Sequence, residues 1–119
     1  MNIEVFRSHC IAKKGVTESF PFDSSALVFK VMGKMFSIAN IDDFQGFSAK
    51  CDPERAIALR EEYPDGIVPA YHMNKTHWNG IKINQGVPAS LMFQLIDDSY
   101  DLVVAGLPKK LRAELAEMK

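Results

Sequence analysis

The chain has 119 residues, of which 47% are hydrophobic and 24% charged, and its net charge at neutral pH is -1. A length in this range fits one domain that buries a core without staples, and the balanced composition excludes disorder and fibrous repeats. The near-zero charge excludes a protein that coats nucleic acid by bulk electrostatics, so any such binding needs a local patch.

The apolar runs are too short to cross a bilayer, and Glu4 and Arg7 interrupt the place where a signal peptide carries its apolar stretch, so a cytoplasmic protein is expected. Ile3, Phe6, Cys10 and Ile11 fall at three- and four-residue spacings, with Lys13, Lys14 and Gly15 as a C-terminal stop, which predicts an amphipathic helix from Asn2 to Lys13. FPFDSS then reads as a turn. Ala26 to Met32 and Lys34 to Asn40 are β-prone runs about Gly33 and predict a hairpin. Phe44 to Lys50, bounded by Asp42-Asp43 and Asp52-Pro53, reads as a third strand, with Gly46 as the mark of a bulge.

A second helix opens with Asp52 as N-cap, Pro53 at its first position and Glu54 in its first turn. It presents Ala56, Ile57, Leu59 and Tyr63 and stops at Pro64, where Pro64-Asp65-Gly66 forms a turn. Further on, Ile81 and Ile83 alternate with Lys82 and Asn84 as in a half-buried strand. From Pro88, the residues Phe93, Ile96, Tyr100, Val103 and Leu107 share one helical face, which ends at Gly106 and Pro108. A short charged helix with solvated Lys109, Lys110 and Arg112 follows. The sum is an α+β fold over residues 1–119, a single two-layer domain of order α-β(3)-α-β(2)-α with a mostly antiparallel sheet.

The stretch YHMNKTHWNG, Tyr71 to Gly80, concentrates two histidines, a lysine and the lone tryptophan. His72 and His77 stand five residues apart, about 140° round a helix or on opposite faces of a strand, and neither arrangement chelates. The nearest acids in sequence are Asp65 and Asp97, so no metal is expected. Cys10 and Cys51 lack C-x-x-C spacing and read as buried thiols. Ser99 sits mid-helix among Leu95, Leu102 and Val103 without the strained elbow of a nucleophile, and no glycine-rich phosphate cradle occurs. No cofactor and no catalytic residue are expected.

Local charge offers more. From Gly66 to Ile96 there is no Asp or Glu, while His72, Lys75, His77 and Lys82 lie in that window. A β-ribbon carrying Asn74, Lys75 and Lys82 can set lysines on phosphates and Asn74 or a neutral histidine at base edges, while Trp78 and Tyr71 fit either stacking on a base or, the favoured reading, anchoring the hairpin to the core.

The strings KGVTESFPF, FKVMGKMF, YPDGIVPA, PAYHMNKTHW and SYDLVVAGLPKK, taken in order from about Cys10 to Lys110, resemble the MmcQ/YjbR family of small bacterial proteins. The resemblance implies a YjbR-like, CyaY-like architecture similar to type III secretion chaperones. It also implies DNA binding, because members carry that label for a sheet surface similar to a double-winged module. The expected partner is double-stranded DNA, contacted by His72, Asn74, Lys75, His77 and Lys82 and by Lys30 and Lys34 if the first hairpin lies alongside. The alternative is a non-enzymatic protein-interaction module that binds a protein or peptide through exposed Phe36, Phe44 and Phe47 on the sheet.

Overall fold

A computed structural model describes residues 1–70 and 73–118. Helix α1 (Ile3–Ile11) begins where the side-chain oxygen of Asn2 accepts from the backbone N–H of Val5 at 2.9 Å, a cap that satisfies one orphan donor. Four strands follow, β1 (Val16–Ser19), β2 (Ala26–Val31), β3 (Lys34–Asn40) and β4 (Gly46–Lys50), then α2 (Pro53–Glu62). Asp52 caps α2 and Pro53 occupies its first turn as expected. Strands β5 (Ile67–Pro69) and β6 (Trp78–Lys82) precede α3 (Ala89–Ala105) and α4 (Lys109–Glu117).

The described strands form one six-stranded sheet of order β1-β2-β3-β4-β6-β5, and every neighbouring pair is antiparallel. The sheet has one strand more than expected ahead of α2. The extra element, β1, has the sequence Val-Thr-Glu-Ser, which lacks an apolar alternation; it is strand because it pairs with β2 from Val16↔Val31 to Ser19↔Val28. The later strand also sits further back than its alternation indicated. β6 ends at Lys82, and Asn84 turns with φ 59.

The bulge lies in β3 rather than at Gly46. Phe29 pairs with Ser37 but Lys30 pairs with Met35, so Phe36 is the unpaired residue, and Phe36 and Ser37 are both buried. Gly46 serves a different purpose at the start of β4. A Cβ there would stand 2.0 Å from the carbonyl oxygen of Ile81, so only glycine allows β4 and β6 to meet.

Phe6 of α1 is fully buried at the centre of the core, stacked on Phe47 at 5.0 Å and edge-on to Phe29 at 5.5 Å. Leu95, Ile96 and Val103 of α3 pack from the same side against β3 and β4. Of the expected α2 face, Ala56 and Leu59 are buried while Ile57 points to solvent. Cys10 and Cys51 are buried free thiols, and burial pushes the Cys10 thiol up to about 12.

Ser99 has a structural task. Its hydroxyl donates to the carbonyl of Phe36 at 2.6 Å and accepts from the N–H of Lys50 at 2.8 Å. These backbone groups stand where the β3–β4 ladder ends beyond Ser37↔Ala49, so α3 supplies the partner that the bulged strand withdraws.

Candidate functional site

Residues opposite one another in an antiparallel ladder share a face. Phe29, Ser37, Ala49 and Asn79 therefore point with Phe47, Ile81 and Ile67 into the helix-covered core. The alternate set, Lys30, Met35, Ile38, Ser48, Lys50, Trp78, Gly80 and Val68, points to the other face. A groove on that face is lined by strand and loop residues without any helical one. The bare face is consequently where a partner can reach the sheet.

Its two ends differ in charge. At the end of the β2–β3 turn, Lys30 and, across β3, Lys50, which pairs with Trp78, have the register of this face, and Lys34 is exposed at the same end opposite the buried Val31. The turn before β6 joins this end, because the carbonyl of His77 accepts from the N–H of Cys51 at 2.7 Å. Asn74, Lys75 and His77 are exposed on that turn. Arg60 of α2 fixes it from behind, donating to the carbonyl of Lys75 at 3.1 Å and to the Oδ1 of buried Asn79 at 3.2 Å. The opposite end carries the acids Asp23, Asp42 and Asp43 beside Asn40. Backbone N–H groups of Ser25 and Ala26 donate to Asp23 and hold its carboxyl below the usual carboxylate range.

The expected site residues therefore separate into two groups. Lys30 points to the bare face, whereas Lys34 stands opposite the buried Val31 and so has the helix-side register; Asn74, Lys75 and His77 are exposed on the turn at the same end of the sheet. Lys82 pairs with Gly46 at the acidic end, and four residues of strand at about 3.3 Å each place it about 13 Å from the Trp78 end. Asn74 commits its side-chain oxygen to its own turn, accepting from the N–H of Thr76 at 2.9 Å, so that oxygen is not free for a base edge. His72 and Tyr71 lie outside the described residues. Trp78 is half-buried on the bare face rather than in the core.

Lys50 is a further candidate that charge in the Gly66 to Ile96 window could not reveal. The strand alternation carried the signal, since Phe47 and Ala49 point inward and Lys50 must then point outward with Ser48. The ion pairs among the described residues join Arg7 to Glu18, His9 and Lys13 to Asp97, and Arg55 to Asp98. Lys30, Lys34, Lys50, Lys75 and Lys82 make none among those residues, although Lys50 also borders a hollow at α3 that Asp52, Asp98 and Asp101 line.

The expected apolar patch takes another form. Phe36 and Phe47 are 0% and 4% exposed, and Phe44 packs half-buried against the core, because all three belong to the helix side of the sheet. Among the described residues, no group of three His, Cys, Asp or Glu side chains could hold a metal ion, and no helix is long and apolar enough to cross a membrane.

Fold and site together define an α+β domain with an antiparallel sheet, helices on one face and a bare, unevenly charged face on the other. A model of the YjbR family matches residues 11–102. The chain belongs to that family. It is 31% identical to the uncharacterised protein YjbR of Escherichia coli K12 over 119 residues, covering 99% of this chain and 100% of that one. It is 36% identical over 94 residues to the uncharacterised protein YbdF of Escherichia coli O157:H7, covering 76% of this chain and 75% of that one. A crystal structure of the Deinococcus radiodurans protein DR2400, a DUF419 domain, is similar with a TM-score of 0.89 at 39% identity, over 97% of this chain and 88% of that chain. A Pseudomonas syringae protein is similar with a TM-score of 0.71 at 28% identity, over 86% of this chain and 98% of that chain.

Proposed function

We propose that this chain is a DNA-binding protein whose contact surface is the bare sheet face. The supporting observation is that Lys30 and Lys50 have the register of that face at one end of the sheet, the end at which exposed Lys34 and Lys75 also stand, with no carboxylate paired to any of them among the described residues. Lysines so placed neutralise phosphates and release counterions, a local attraction that the whole-chain charge conceals. Lys82 is a separate contact at the far end, and the acids beside it set the polarity of docking.

A salt titration tests this reading. Binding of labelled DNA, single-stranded and duplex, is measured by anisotropy over a range of salt, and the slope of log K against log salt is compared with that of Lys30→Glu/Lys50→Glu. The slope should become shallower by about 0.9 for each duplex phosphate that is no longer neutralised, and by about 0.7 for each one in a single strand. Undetectable binding of both forms at low salt, or an unchanged slope in the double variant, refutes the proposal.

A further inference from the structure

The middle of the bare face is a groove of about 920 Å³, at the upper end of the range for small-ligand pockets. Small residues make its floor: Gly46 and Ser48 on β4 and Gly80 on β6, with Ser48 directly opposite Gly80. Met35 and Ile38 of β3 rise on one side and Val68 of β5 and Met73 on the other.

Gly80 is the informative residue. Its φ lies outside the left-handed region, and a Cβ there would meet Val68 Cγ2 at 3.5 Å, an ordinary contact. Neither backbone conformation nor crowding requires glycine, yet glycine in a strand interior costs about 0.5–1 kcal/mol relative to alanine. Gly46, by contrast, is forced by the carbonyl of Ile81. A glycine that the fold does not need, in the floor of an open groove, keeps the floor flat for a group that approaches the sheet closely.

The charge pattern says what that group belongs to. Lys82 lines one end of the groove, and beyond its other end stand Lys30, opposite the lining Met35, and Lys50, two residues past the lining Ser48; the channel between is nearly uncharged, with Asp23 the one acid among the lining residues. A polyanion with flat apolar faces fits that pattern. Duplex DNA does not, since its bases are stacked away from an apolar floor and its phosphates would need cations along both walls. We infer that the groove takes unpaired bases of single-stranded DNA, laid across Gly80 between Ile38 and Val68, with the flanking phosphates on Lys50 and Lys82. This inference rests on the DNA-binding reading and names the form of DNA that the face prefers.

The test measures anisotropy of a labelled oligothymidine and of an equally long mixed-sequence duplex with the parent protein, Gly80→Leu, Ser48→Leu and Lys30→Glu/Lys50→Glu. Two groove-filling variants are used so that one misfolding does not end the test, and thermal melts identify the folded ones. The expected result is single-strand binding about tenfold tighter than duplex binding, weakened about tenfold by either folded groove variant, since a leucine side chain there takes the space of one base. Residual duplex binding should be unchanged in those variants and weakened by the lysine double variant. Equal or tighter duplex binding, or a folded groove variant that binds oligothymidine as well as the parent, overturns the inference and leaves the DNA reading standing. Failure of both forms to bind removes both. Self-association seen by sedimentation and abolished by Gly80→Leu, without oligonucleotide binding, gives the groove to a second copy and likewise overturns it.

Discussion

Ser99→Ala removes one oxygen atom, and the structure says what that atom carries. The hydroxyl is fully buried, donates to Phe36 O at 2.6 Å and accepts from Lys50 N at 2.8 Å. Alanine leaves a carbonyl and an N–H without partners at the point where β3 and β4 separate. Each unsatisfied buried group costs about 1–3 kcal/mol, so the variant should lose about 2–6 kcal/mol. A domain of this length has about 6–18 kcal/mol in total, which makes the loss a large share of it. Urea unfolding followed by circular dichroism should show a lower midpoint with the slope unchanged, and the melting temperature should fall by roughly 4 °C for each kcal/mol. Amide exchange at Lys50 should quicken by more than global destabilisation explains, since its N–H loses its acceptor. A loss below about 0.5 kcal/mol, or exchange at Lys50 that simply tracks global stability, would show that another group satisfies these atoms and that the bridge does not hold the strands.

The two floor glycines should respond oppositely to alanine. Gly46→Ala drives a methyl into the Ile81 carbonyl and should cost more than about 2 kcal/mol, whereas Gly80→Ala should lie within about 1 kcal/mol of the parent, as paired urea titrations will read. Asp97 provides a pH dependence: burial raises its pKa, but hydrogen bonds and charge from Lys13 and His9 outweigh that and hold it below the usual carboxylate value. Its stabilising contribution is thus complete above an unfolded pKa near ~3.9 and is lost as pH falls through the lower folded value. Asp97→Asn should lower stability at neutral pH and flatten its decline in acid, and parallel acid limbs for parent and variant in urea titrations from neutral pH downward would contradict this.

Periodicity and cap chemistry made most elements legible. The Phe6–Cys10 face, the Asp52-Pro53 start of α2, the Gly33 hairpin and the long helix after Pro88 all lie where the sequence places them, though the buried face of that helix turns toward Met92, Leu95 and Ser99 and leaves Phe93 and Tyr100 half-buried. β1 was not legible, since Val16–Ser19 has no pattern of its own and becomes strand only through β2. Phe36 misled for a related reason. The alternation of β3 breaks at a bulge that depends on β2 and on a serine 63 residues further along the chain.

For the candidate site, the sequence by itself determined the inventory: an acid-free stretch with Lys75, His77 and Lys82, and lysines in the first hairpin. Only the tertiary structure decided which of them stand together. It gathered Lys30, Lys34 and Lys75 with the overlooked Lys50 at one end of the sheet and sent Lys82 to the other, while placing Gly80 in the open floor between. Charge and periodicity are properties of neighbours along the chain, whereas a binding face is made by register between strands. That register is set by long-range pairings, down to the Gly46–Ile81 approach and the Ser99 bridge, whose terms no local window contains.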